Sequence, residues 1–166
     1  MAKKRKKLKK GVRSWMLQAS VGIALAIVIT NLAFGFVRVS GSSMYPTLQD
    51  GNLGLVNLIK GRIGNIKRFD IVIVKSEALD EYIIKRVVGL PGETVEYNAT
   101  HLYINGEVVE EDFLSEVYTG DTEAVTLGED EYYCVGDNRT NSMDSRMIGP
   151  IKSSEIKGVW MFGNNK

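Results

Sequence analysis

No side chain between Arg13 and Arg38 carries a charge: SWMLQASVGIALAIVITNLAFGFV, Ser14 to Val37. As a helix these residues would extend roughly 36 Å at about 1.5 Å each, enough to cross a hydrocarbon core of about 30 Å. A cleaved secretory leader has a shorter apolar region, about 7–15 residues. A buried helix of a soluble protein would not be apolar on every face beside a dense basic block. The run is therefore expected to span a membrane, with Trp15 near the inner interface. The preceding MAKKRKKLKKGVR holds eight of the 21 Lys+Arg and no acid, whereas all 20 acidic residues lie at Asp50 or later. The chain beyond Arg13 carries a net −7, so the overall +1 conceals a basic tail on an acidic domain. The positive-inside rule puts residues 1–13 in the cytoplasm, the helix at 14–37 in the cell membrane and residues 38–166 on its outer face. Beside a span, the basic block reads as a topology signal that also meets anionic lipid, and not as a nucleic-acid patch.

Beyond Val39, β signals dominate. GNLGLVNLI (51–59), FDIVIVKS (69–76) and EYIIKRVVGL (81–90) are rich in Ile and Val and bounded by Gly, Asp or Pro. The second and third are close enough to form a hairpin. ETVEYNATHLYINGEVV (93–109) contains Asn105-Gly106, the pair favoured by a tight type I′ turn. YYCVGD (132–137) and GVWMFG (158–163) read as two further strands, and the acidic stretch 114–130 as an exposed connection. No amphipathic helix stands out after the span. The outer part is expected to be all-β, a barrel or packed antiparallel sheets, behind one transmembrane helix. Cys134 is alone, so no intramolecular disulfide and no cysteine-based metal site is available.

GSSMYPTL (41–48) sets two serines in a turn-forming context, and the only histidine, His101, has no triad-like surroundings. A serine nucleophile here needs another base. Alternation along EYIIKRVVG places Ile83, Lys85 and Val87 on one face. An apolar site disfavours the ammonium and lowers a lysine's pKa, which would make Lys85 a base. From the strand alone, a snorkelling or carboxylate-paired lysine is the ordinary reading. GDNRTNSMDSR (136–146) likewise reads, by composition, as a polar loop of Asx turns and surface ion pairs. Asn98-Ala99-Thr100 fits a glycosylation sequon, a frequent chance match.

Taken together, VSGSSMYPTL (39–48), YIIKRVVGLPGE (82–93) and GDNRTNSMDSR resemble, in that order, the sequence boxes of type I signal peptidases. These are membrane-bound serine proteases that remove signal peptides from exported proteins. The short chain and single span resemble the Gram-positive members. The resemblance implies Ser43 as nucleophile and Lys85 as general base. It implies that Ser142 hydrogen-bonds the Lys85 amine, that Asp144 and Arg146 form a bracing ion pair, and that Asp137 also contacts Arg146. Val39, Met44, Leu48, Ile83 and Ile84 are implied as the lining of shallow pockets that read small residues in an A-x-A pattern. Where some relatives carry an oxyanion-binding serine hydroxyl two residues before the nucleophile, this chain has Gly41. Ser42 could point at the oxyanion or at solvent, and solvent is the favoured reading. No metal or organic cofactor is implied. Exported preproteins are the implied substrates and membrane lipid a further contact, while oligomeric state is not legible. Two rival readings stand beside this one: a self-cleaving serine–lysine repressor, disfavoured by the span, and a membrane-tethered β-domain that binds exported chains without cutting them.

Overall fold

The computed structural model describes residues 2–63, 66–114 and 119–163, with side chains from Trp15 onward. The chain divides into two compact units, one ending at Phe34 and one running from Gly35 to Lys166. The first is helix α1 (Ala2–Ala33). Its Trp15–Ala33 portion, with a mean hydropathy of 1.9, is long and apolar enough to cross a membrane. Leu17, Ile23, Leu25 and Ile29 are exposed along it.

The helix stops earlier than the expected Val37. Phe34–Arg38 form strand β1 at one edge of a seven-stranded sheet. Gly35 weakens helix continuation here, and Phe34, Phe36 and Val37 suit an extended backbone.

The second unit is built from β2 (Leu53–Asn57), α2 (Leu58–Arg62), β3 (Ile71–Ser76), β4 (Glu81–Gly89), β5 (Thr94–Asn98), β6 (His101–Ile104), β7 (Glu107–Val109), β8 (Val125–Thr126), β9 (Glu131–Val135), α3 (Ser145–Ile148), β10 (Ile151–Lys152) and β11 (Ile156–Gly163). The large sheet runs β1-β2-β11-β3-β4-β9-β10 and the small one β7-β6-β5-β8. Pairing is antiparallel from β2 through β10 and throughout the small sheet. The architecture is thus antiparallel sheets behind one apolar N-terminal helix, as the sequence patterns indicate.

The β3–β4 hairpin forms where alternation placed it, setting Val72 opposite Lys85 and Val74 opposite Ile83. Asn105 and Gly106 both take positive φ, 54° and 83°, as a type I′ turn demands. Two segments differ from expectation. GNLGLVNLI is strand only to Asn57, whose side chain accepts from the Lys60 N–H at 2.8 Å and starts α2. The 93–109 run folds into three strands, with an extra reversal at Ala99 (φ 53°).

Three apolar clusters hold the unit. One gathers Val72, Val74, Ile83, Val87, Cys134, Ile156 and Val159. A second joins Val88, Tyr133 and Val135 of the large sheet to Val95, Tyr97 and Leu102 of the small one. The third is small: Val39, Met44 and Leu48, packed with Ile71, Ile84 and Trp160. Each fully buried side chain of this size contributes about 1.5–3 kcal/mol of transfer free energy. The third cluster anchors the turn that carries Ser43.

Candidate active site

Ser43 sits on a turn fixed on both sides. Val39 and Gly51 donate backbone bonds to Asn52 and Val39 at 2.8 and 2.9 Å, and the Gly41 N–H donates to Asp50 Oδ1 at 2.9 Å. The next residue, Met44, is 1% exposed and Leu48 2%. These anchors leave Ser43 half-buried at the lip of a cleft of about 380 Å³.

Lys85 comes to the same place from the middle of β4. It is 3% exposed, between the buried Ile83 and Val87, and its Nζ lies 2.9 Å from Ser43 Oγ and 3.1 Å from the Ile84 carbonyl. Burial lowers its pKa, against the opposing pull of the Asp144 and Glu81 carboxylates, while the Arg146 charge acts with burial. A neutral amine so placed can accept the serine's proton.

The segment 136–146 closes over this pair. The Asn138 N–H donates to the Ser43 carbonyl at 3.0 Å, and Asn138 Nδ2 to the Ser42 carbonyl at 3.1 Å. Asn141 Nδ2 donates to Ser42 Oγ at 3.1 Å. A Cβ on Gly136 would lie 2.2 Å from Ser142 Oγ and 2.5 Å from the Ser43 carbonyl, so only glycine admits this approach. Asp144 is buried and pairs with Arg146 at 2.8 Å through both Nε and Nη2, and it accepts from the Gly136 N–H at 2.9 Å. Burial alone would raise its carboxyl, but Arg146, Ser142 and the Gly136 N–H outweigh that and hold it below the usual range.

Asp137 has a partner that the family resemblance does not name, and Ser142 departs from the bond that the resemblance implies. Asp137 gives both oxygens to Arg86, at 2.8 Å from Nε and 2.6 Å from Nη2. Arg86 follows Lys85 on the strand, so its side chain leaves by the other face, where Asp137 meets it. Ser142 does not bond the Lys85 amine. Its buried hydroxyl makes no well-formed hydrogen bond, and it leans toward Asp144 closely enough to favour that carboxylate's charge. Val39, Met44, Ile83 and Ile84 line the cleft, whereas Leu48 is buried in the third cluster and does not line it.

Arg86 and Arg139 are structural members of the site that sequence reasoning missed. Arg139 is held by Glu111 at 2.6 and 2.8 Å, and Arg86 stacks on the Phe113 ring at 3.9 Å. An arginine amid the apolar residues of β4 implies a buried counter-charge, which is the one signal that could have found it. His101 is exposed on the small sheet and bonds Thr100 at 3.0 Å. Cys134 is buried with its thiol pKa pushed up by burial, which keeps it unreactive.

A family model described as signal peptidase, peptidase S26, matches residues 12–163. Similar curated proteins include signal peptidase I V of Bacillus subtilis strain 168, 42% identical over 161 residues that cover 89% of this chain and 95% of that protein. Signal peptidase I T of the same strain is 40% identical over 159 residues, 89% and 82% of the two chains. A solved signal peptidase I from Enterococcus faecalis V583 is 40% identical, with a TM-score of 0.53, and the match covers 57% of this chain and 95% of that one.

Proposed function

Since this chain belongs to the signal peptidase S26 family and is a signal peptidase I, we propose that Ser43 and Lys85 cleave its substrates as a two-residue catalytic unit. The observation that carries this reading is the 2.9 Å approach of a buried lysine amine to the serine hydroxyl. Neutral Lys85 takes the proton of Ser43 as Oγ attacks the scissile carbonyl, giving a tetrahedral oxyanion and then an acyl-enzyme. The same amine, now an ammonium, returns the proton to the leaving amine. Neutral again, it activates the water that frees Ser43.

Substrates are signal peptides of exported preproteins, cleaved after small residues. An extended substrate presents alternate residues to one side, so two shallow depressions read positions two apart. Val39, Met44, Ile83 and Ile84 line the cleft, and these apolar side chains suit methyl-sized groups. Asp144 and Arg146 brace the closing segment, and the Arg86–Asp137 pair ties that segment to β4. The helix α1 anchors the enzyme in the cell membrane, with the basic tail in the cytoplasm and the β-domain on the outer face.

Ser43→Ala and Lys85→Ala should each abolish processing of a preprotein in detergent or liposomes, with His101→Ala processing at the parent rate. Near-normal turnover by Lys85→Ala would remove the lysine from the mechanism.

A further inference from the structure

The oxyanion of an acyl transfer is stabilised by fixed donors, commonly two. The Ser43 N–H is one. It takes part in no hydrogen bond among the described residues. The residue two before it supplies no second donor. Gly41 has no hydroxyl, its N–H is committed to Asp50, and its φ of 88° is a conformation in which a serine would be strained.

Ser42 differs on each point. It lines the same cleft as Ser43 and is exposed. Its carbonyl accepts from the Tyr45 N–H at 3.0 Å and from Asn138 Nδ2 at 3.1 Å, so its backbone is fixed. Its hydroxyl is fixed too, because Asn141 Nδ2 donates to Oγ at 3.1 Å. That bond occupies a lone pair and leaves the hydroxyl hydrogen without an acceptor among the described residues. A hydroxyl that accepts one hydrogen bond is polarised into a stronger donor for another. The missing donor at Gly41 and the apparent redundancy of a second serine thus have one answer.

We propose that Ser42, with its hydroxyl oriented by Asn141, is the second oxyanion donor of this enzyme. The inference rests on the acyl-transfer reading above and adds a catalytic residue, Ser42, and a positioning residue, Asn141. When Ser43 Oγ bonds to the scissile carbon, the carbonyl oxygen takes up the displaced electron pair. It then accepts from the Ser43 N–H and the Ser42 O–H, and no proton is transferred to it.

The test uses the full chain in detergent micelles with a preprotein substrate. Ser42→Ala should lower kcat about 100-fold with KM within about twofold, and Ser42→Thr, which keeps the hydroxyl, should retain most of the rate. Asn141→Asp should also lower kcat, because a carboxylate can only accept and draws the hydroxyl hydrogen away from the oxyanion. A substrate-like peptide aldehyde, which forms a tetrahedral adduct on Ser43, should lose affinity for Ser42→Ala in step with kcat. An uncleavable peptide with proline after the scissile residue should bind unchanged. The inference is overturned if Ser42→Ala stays within about threefold of the parent kcat, if its loss lies in KM, or if both peptides weaken equally. If thermal unfolding shows Ser42→Ala misfolded, Asn141→Asp and the aldehyde decide by the same criteria. An active Ser43→Ala would bring down the acyl-transfer reading as well. An inactive Ser43→Ala beside a fully active Ser42→Ala removes only the second donor.

Discussion

A lysine amine in water stays protonated near neutral pH and has no lone pair to offer. Lys85 has lost most of the solvation that favours its charge, and the Asp144 and Glu81 carboxylates only partly restore it. Its folded pKa therefore lies below its unfolded one. Activity should rise with pH as the amine deprotonates, on an acid limb set below the ordinary lysine value. Asp144→Asn removes the strongest pull toward the ammonium and should shift that limb to lower pH, read from kcat/KM profiles of the two proteins. The variant also breaks the ion pair between buried Asp144 and Arg146, at a cost of about 3–5 kcal/mol in stability. Stability carries the same sign. Between the two lysine pKa values the unfolded chain binds the extra proton, so this residue makes stability rise with pH across that window. Lys85→Met should remove that slope, as measured by denaturant unfolding at several pH values.

At the scale of elements, the candidate site is a fastening of the 136–146 segment onto the Ser43 turn and β4. Gly136→Ala would press a methyl against Ser142 Oγ and the Ser43 carbonyl, and should cost about 1–3 kcal/mol and most of the activity. Breaking the pair of buried Arg86 and Asp137 with Asp137→Ala should cost about 3–5 kcal/mol in thermal or denaturant unfolding. Local patterns made part of this legible in the chain. Alternation in EYIIKRVVG put Lys85 between Ile83 and Val87, and the Asn105-Gly106 pair marked its own turn. What lay hidden depends on distant partners or on competing local signals. Nothing near Asp137 points to an arginine 51 residues upstream, and the amides of Asn138 and Asn141 meet Ser42 across 96 and 99 residues. The end of α1 was obscured because Phe34–Val37 is as apolar as the helix before it. In GNLGLVNLI the β-branched and aliphatic run masked the cap at Asn57, whose side chain turns the chain into α2.

The whole molecule combines a basic segment, an apolar helix and a domain that is acidic, with 13 Lys+Arg against 20 Asp+Glu after Arg13. Such a domain is repelled by an anionic surface, so its own charge cannot hold it at one. In our reading the helix does so, and it raises the local concentration of the cleft around a membrane-inserted preprotein to the range of mM or so. The unit from Gly35 to Lys166 contains the three clusters and every residue of the site. A chain starting at Gly35 should therefore cleave a short soluble peptide with kcat/KM within about threefold of the full chain. On a preprotein inserted in anionic liposomes it should lose about 100-fold or more, the scale of a lost tether. Added salt should recover a small part of that loss by screening the repulsion, and should leave the anchored enzyme unaffected. Equal rates for the two chains on liposomes would mean that the domain reaches its substrate without the helix, and the anchoring role would fall while the chemistry stood.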